Sequence, residues 1–232
     1  MIKVEIINEY KIHAPQTRNE LLEYIGNYKG ILVAMNAEKI LKKDNRLKNL
    51  INNNLGYPDG IGAVWALKKK GLQTTKIAGA EFWLDIINKF HRKKSFYLVG
   101  ASVEVIKQTV NKLQFEFPEI DIRGHRNGFI QTDEEKNDLI QDISKKKPDV
   151  VFVAMGTPKQ EFLMEEMLSH NKSLYMGLGG SFDVYSGHKN RAPDFFINNW
   201  LEWLYRLLKE PTRYKRQLVL IKFFFLVMFN RI

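Results

Sequence analysis

Apolar residues in this chain come in short unbroken runs, not in alternation. Ile31-Leu32-Val33-Ala34-Met35 runs into Asn36, and Phe96-Tyr97-Leu98-Val99 into Gly100-Ala101-Ser102. Val150 to Met155 runs into Gly156-Thr157-Pro158, and Leu174-Tyr175-Met176 into Gly177. Buried parallel strands read this way because both faces of the sheet are covered. Between the runs lie helical amphipathic patterns, such as Val103 to Phe115 and Glu134 to Ser144. Strand and helix in alternation predict an α/β fold with a doubly wound, mostly parallel sheet, Rossmann-like in plan. Ligands of such sheets bind at the carboxyl ends of the strands, where each of these turns falls.

The pattern changes near Asn198. Residues 1–197 read as the α/β core, and residues 198–232 as a helical, basic, aromatic appendage interrupted at Pro211. Proline is excluded from a helix interior but suits the first position of a new helix. The longest apolar run, Leu218 to Phe229, has 12 residues and includes Lys222. Crossing a bilayer takes about 18–20 apolar residues, so the run is expected to lie on a membrane and not to span it. Met1 to Tyr10 has no uninterrupted apolar core, so no leader is expected there.

Composition narrows the chemistry. With 232 residues and 44% hydrophobic content the chain can bury a substantial core. It has no cysteine, which excludes disulfides, thiolate metal sites and a cysteine nucleophile. The formal net charge is +10. From Trp200 onward, seven basic residues (Arg206, Lys209, Arg213, Lys215, Arg216, Lys222, Arg231) stand against Glu202 and Glu210, so half of that excess lies in the tail. Concentrated charge of this kind points to anionic partners, phospholipid or pyrophosphate among them.

Candidate chemistry sits at the turns. Tyr57-Pro58-Asp59-Gly60 presents one carboxylate, either as a general base or as part of an ordinary Pro-Asp-Gly turn. Gly100-Ala101-Ser102 and Gly177-Leu178-Gly179-Gly180-Ser181 place small residues after strands, where backbone amides can approach phosphate or simply pack closely. Neither is Gly-x-Gly-x-x-Gly or a P-loop. In Gly156-Thr157-Pro158-Lys159-Gln160-Glu161, Thr157 is expected to cap a helix, leaving Lys159 and Gln160 free for a ligand. The five histidines have no ligand-like spacing and there is no Asp-x-Asp, so no metal and no cofactor is expected. Arg213 and Arg216 share a helix face, as phosphate-binding arginines often do.

Taken in order, these blocks resemble the WecG/TagA/CpsF family of bacterial glycosyltransferases. The blocks are Asn36-Ala37-Glu38, Asp59-Gly60, Ile77-Ala78-Gly79, Leu98-Val99-Gly100, Met155 to Glu161, Gly179 to Asp183, Arg191-Ala192-Pro193 and Leu201 to Arg206. Asn36-Ala37-Glu38-Lys39 and the Gly-His-x-x-Arg-Ala-Pro form are most similar to the WecG branch, which transfers N-acetyl-D-mannosaminuronic acid. The resemblance implies an inverting, metal-independent transferase. It implies a UDP-sugar donor, an undecaprenyl-diphosphate-linked sugar acceptor, and residence at the cytoplasmic face of the inner membrane on anionic lipid. No nucleic acid is implied, and a homo-oligomer is compatible with it.

By the same resemblance Asp59 is the catalytic base, while Asn36 and Gln160 line the pocket and Asp183 belongs to the nucleotide site. Arg206, Arg213 and Arg216 bind the acceptor diphosphate. With the strand-end positions, the expected donor set is Asn36, Lys76, Gly100, Gly128, Phe129, Gly156, Pro158, Gln160, Glu161, Gly179, Gly180 and Asp183.

Three positions depart from the family pattern. Ala34 stands where TagA-like members carry threonine, Lys76 where many carry arginine, and Glu81 where aspartate is frequent. A dinucleotide oxidoreductase would require a glycine fingerprint and an acidic residue about 20 positions later, neither of which is convincing here. A non-enzymatic basic binding module is the other rival, resting on net charge alone.

Overall fold

The computed structural model describes residues 2–193, 195–196, 201–209 and 214–232, without the side chains of 202, 206 and 214–217. An antiparallel hairpin opens the chain, with β1 (Lys3–Ile7) paired to β2 (Tyr10–Ala14). Among the described residues, six further strands form one parallel sheet in the order β4-β3-β8-β7-β5-β6. They are β3 (Gly30–Met35), β4 (Leu55–Pro58), β5 (Ser95–Gly100), β6 (Asp121–Arg126), β7 (Val150–Ala154) and β8 (Leu174–Gly177). The fold is α/β and Rossmann-like, as the run-and-turn pattern predicts.

Burial explains which strands were legible. Every residue of β5 and β7 is buried, and β3 and β8 nearly so, which is why they read as apolar runs. The edge strand β6 alternates exposed with half-buried positions and carries Asp121, Arg123, His125 and Arg126, so it gives no such run. The hairpin and β4 also escape a search for long runs. In β4 only four residues are extended, and the last is Pro58, read above as part of a turn.

Helices cover both faces. One apolar cluster takes Ile31, Val33 and Met35 from β3 together with α3 (Asn45–Asn52), α4 (Ile61–Lys69), α7 (Asp133–Lys146) and α8 (Lys159–His170). The other takes Leu32 with α1 (Arg18–Tyr24), α5 (Gly79–Phe90), α6 (Val103–Glu116) and α9 (Ser181–Tyr185). The even–odd split along β3 is the period of a strand buried on both sides. Side chains fix the helix starts, for example Thr17 on α1, Asp44 on α3 and Ser102 on α6, while Thr132 and Glu135 form a capping box on α7.

The short helix α2 (Ala37–Ile40) follows β3 toward the first cluster, whereas α9 follows β8 toward the second. Because β3 and β8 are neighbours, their exits diverge and open a crevice at the carboxyl edge.

The C-terminal helices are α10 (Glu202–Lys209) and α11 (Tyr214–Met228). The boundary expected near Asn198 lies outside the described residues. Helix α11 packs on α2 and α4, and its Phe223 and Val227, each 1% exposed, belong to the first core cluster. Among the described residues no helix is long and apolar enough to cross a membrane.

Candidate active site

Asp59 directly follows β4 and is half-buried. Its backbone amide donates to the carbonyl of Met35 at 2.9 Å, which locks the β3 and β4 exits together. Its Oδ1 accepts a long contact of 3.4 Å from the amide of Gly79, the first residue of α5. The approach requires glycine, since a Cβ on Gly79 would stand 2.8 Å from the buried Tyr57 hydroxyl. A carboxylate held at a helix N-terminus by an amide is stabilised as the anion. The Tyr57 hydroxyl, by contrast, is pushed well above its ordinary pKa by burial and then by the charge of Asp59. Gly60 follows with φ near 103°, a conformation that suits glycine and turns the chain into α4. Asn36, at the end of β3, uses Oδ1 to accept from the Lys39 amide at 2.9 Å, capping α2.

Beside these exits lies a buried polar hub on the first turn of α8. Gln160 is 4% exposed, and its Oε1 accepts from the amides of Gly156 at 3.1 Å and Gly179 at 3.0 Å. It therefore joins the loops leaving β7 and β8. Gln160 is not free at the strand end as expected; it is enclosed, and the two glycine amides it takes are unavailable to a phosphate while it holds them. Glu161 is 1% exposed, and its Oε1 accepts from Lys39 Nζ at 2.7 Å and Thr157 Oγ1 at 3.0 Å. The expected cap is also corrected. Pro158, joined to Thr157 by a cis bond, takes the N-cap position with no side-chain cap, and Thr157 reaches Glu161 instead.

The β5 and β6 exits are knitted in the same way. Ala101, at a positive φ of 57°, donates its amide to Ala154 at 3.2 Å, and its carbonyl accepts from Gly128 at 2.9 Å. A Cβ on Gly100 would stand 2.3 Å from the Ala154 carbonyl oxygen, so the backbones touch and only glycine fits. Next to them Phe129 is exposed, an aromatic surface at the strand edge. Asp183, on α9 after Gly180, pairs loosely with Lys189 at 3.7 Å. Lys76 lies half-buried in the strap before α5, where the neighbouring Ile77 amide donates to Pro58 at 2.9 Å.

Glu81, the unexplained departure, has a local account. It accepts Arg18 of α1 at 3.0 Å and also pairs with Arg191 of the Arg-Ala-Pro segment. Burial alone would raise its pKa, but Arg191 and then Arg18 bring it below the usual carboxylate value. The longer side chain thus ties the segment after α9 to α5.

An apolar cavity of about 530 Å³ opens between α4 and the C-terminal helices, and Ala37, which follows Asn36, and Ile61, two residues after Asp59, are among its walls. Trp65, Trp203, Ile221, Phe223 and Phe224 line it as well. Trp65 stacks on Phe224 with ring centroids 4.6 Å apart. Of the arginines assigned to the acceptor diphosphate, Arg213 and the side chains of Arg206 and Arg216 lie outside the described residues.

The structure thus brings Asn36, Asp59, Gly100, Gly128, Phe129, Gly156, Pro158, Gly179, Gly180 and Asp183 to one sheet edge. Gln160 and Glu161 lie beneath that edge. Sequence reasoning missed Lys39 although it ends the quoted Asn-Ala-Glu-Lys block; on a short helix a lysine reads as solvated. It also missed the apolar cavity, whose walls come from helices about 150 residues apart. A half-buried carboxylate at a strand end can accept a proton from a hydroxyl group delivered there. The family model described as glycosyl transferase WecG/TagA/CpsF matches residues 5–232.

Proposed function

The chain belongs to the WecG/TagA/CpsF family of glycosyltransferases, and from that premise we propose the reaction it performs. Membership makes it an enzyme of cell-surface polysaccharide synthesis that takes a nucleotide-sugar donor and a sugar acceptor. In our reading the donor is UDP-N-acetyl-D-mannosaminuronic acid, and the acceptor is N-acetylglucosamine linked to undecaprenyl diphosphate. Asp59 removes the proton from the acceptor hydroxyl. The oxygen attacks the anomeric carbon, the bond from that carbon to the diphosphate oxygen breaks, and UDP departs with inverted configuration at the sugar. One base suffices and no covalent enzyme intermediate forms.

The observation that carries this reading is the position of Asp59. It is braced by Gly79 and Met35, and Ile61, two residues further on, lines the apolar cavity. A lipid-linked acceptor needs such a juxtaposition, with a polar reacting end and an apolar continuation. The donor side is the edge formed by Asn36, Lys76, Gly100, Gly128, Phe129, Gly156, Pro158, Gly179, Gly180 and Asp183, shaped from below by Gln160 and Glu161. With the Gly156 and Gly179 amides held by Gln160, cations are the better candidates to balance the leaving diphosphate, and Lys76 is the cation in the expected donor set. Arg206, Arg213 and Arg216 are assigned to the acceptor diphosphate.

The membrane reading rests on α11. Its inward side is buried through Phe223 and Val227, while Leu218, Ile221, Phe224, Phe225 and Phe229 are exposed. Exposed aromatic and aliphatic side chains beside a basic segment favour the interface of an anionic leaflet. We place the enzyme peripherally at the cytoplasmic face of the inner membrane.

The test is a donor panel. UDP release would be measured with UDP-N-acetylmannosaminuronic acid, UDP-N-acetylmannosamine and UDP-N-acetylglucosamine on a synthetic polyprenyl-diphosphate-N-acetylglucosamine. Preference for the first is expected. Preference for the second would assign a TagA-like donor, and turnover of only the third would overturn the reading of the sugar. Arg213→Glu with Arg216→Glu should reduce turnover more than liposome binding. The reverse ranking would make both arginines surface anchors.

A further inference from the structure

The Lys39–Glu161 pair has no part in the chemistry just described. Both side chains are at least nine-tenths buried, at 6% and 1% exposure, and their charged atoms are 2.7 Å apart. Lysine and glutamate are rarely enclosed so fully. Taking both charges out of water offsets most of what their attraction supplies, so such a pair adds little to stability compared with apolar side chains of the same volume. The arrangement here is less favourable still. Glu161 Oε1 collects Lys39 Nζ, Thr157 Oγ1 and, at 3.4 Å, Gln160 Nε2, whereas the buried Oε2 has no hydrogen-bond partner among the described residues. A site selected for stability alone would not leave that oxygen orphaned.

What the pair joins is informative. Lys39 is tied to Asn36 at its other end, because its amide is the donor to Asn36 Oδ1. Glu161 is next to Gln160, which holds the Gly156 and Gly179 amides. Thr157 enters the same carboxylate from the β7 exit. Three strand-end loops, leaving β3, β7 and β8, therefore converge on two adjacent side chains of α8. The β3 loop is bonded in turn to the base, through the Asp59 amide and the Met35 carbonyl. The connections run from the base side of the crevice to the donor side.

We infer that Lys39 and Glu161 are positioning residues for sugar transfer, holding the Asn36–Asp59 side of the crevice in register with the Gly156–Gly179 side. The inference rests on the reading of the site given above, adds Lys39 to it, and gives Glu161, already placed beneath the donor edge, a role that needs no contact with the sugar or the nucleotide. The registry is an ionic tether between α2, a helix of only four residues, and the first turn of α8. Misplacing reacting groups by about 1 Å can cost about 10²-fold in rate. The loss should fall on the chemical step and leave ground-state binding of UDP largely intact.

The test is the double variant Lys39→Met with Glu161→Gln, which removes both charges while keeping volume and an acceptor for Thr157. Melting temperature, UDP affinity by calorimetry, and kcat and KM for the donor used by the parent enzyme would be measured. The expected result is a melting temperature within a few degrees of the parent, UDP affinity within about threefold, and kcat lower by tenfold or more. A folded double variant that loses less than tenfold in kcat overturns the inference and makes the pair a packing feature. If the double variant does not fold, Thr157→Val decides. This residue is exposed, so its removal should spare the fold. A fall in kcat of threefold or more supports the tether, and a smaller change overturns it. Asp59→Asn, assayed alongside, separates the two levels. Full activity in that variant would refute the assignment of the base, while the double variant still reports on the tether.

Discussion

Phe223→Ala should loosen the C-terminal helix and, with it, the wall of the apolar cavity. The ring is 1% exposed and lies against Gly62, where an added Cβ would stand 3.2 Å from its Cε1. Burying a phenylalanine this completely makes its truncation cost about 3–5 kcal/mol when the surroundings do not collapse. Two further contacts hold α11 in place: the stack of Trp65 on Phe224, and the hydrogen bond from Lys69 Nζ to the Met228 carbonyl at 3.0 Å. Because the helix can detach locally, the observed cost is limited by its docking energy and should fall toward 3 kcal/mol. In a chain of this size 1 kcal/mol moves the melting temperature by about 2–4 °C, so a fall of roughly 6–12 °C is expected. Two probes should be followed during heating, circular dichroism for the α/β core and tryptophan fluorescence, to which Trp65 contributes. Fluorescence should change at lower temperature than dichroism in the variant and together with it in the parent. A variant that melts within 1 °C of the parent on both probes would falsify the docking of α11. By the same burial, deleting residues 218–232 would strip Phe223 and Val227 from the core.

Three shorter predictions follow from other parts of the molecule. His13 is buried, and that burial holds its pKa below the ordinary value, with a backbone hydrogen bond to Gly56 partly opposing and Lys11 assisting; since the unfolded chain then binds the extra proton, stability should be full above about pH 6.5 and decline as pH falls below it, and chemical denaturation of His13→Leu at pH 5.5 and 7.5 should show a smaller difference than the parent. Gln160→Ala leaves the Gly156 and Gly179 amides without their acceptor, each costing about 1–3 kcal/mol, so the melting temperature should fall by about 4 °C or more; an unchanged value would mean that water replaces the amide fully. The lack of Asp-x-Asp and of paired histidines predicts that turnover survives excess EDTA, and complete loss restored by Mg²⁺ or Mn²⁺ would contradict it.

The parallel strands were legible because the physics that buries them leaves a one-dimensional trace: β5 and β7 are apolar at nearly every position. The turn that ends β5 was legible for a related reason, since Gly100 has no room for a side chain. What did not show was anything made by contact between distant segments. Lys39 and Glu161 are 122 residues apart, and each alone reads as a solvated charge. Gln160 shows the opposite error. Its place shortly after β7 follows from the sequence, but the direction of its amide, inward to two glycines, depends on loops that fold over it. The apolar run in α11 was visible, but its division into a docked side and an exposed side was not, because that division is set by α2 and α4.

The central claim is that Asp59 is the base of a sugar-transfer reaction, and turnover of Asp59→Asn tests it most directly. Asparagine keeps the shape and the contact with the Gly79 amide but cannot take a proton. With the donor and acceptor used by the parent, kcat should fall by roughly 10²–10⁴-fold, the range supplied by general base catalysis. Melting temperature and UDP affinity should stay close to the parent. A folded variant that keeps more than half of the parent turnover would remove Asp59 from the mechanism.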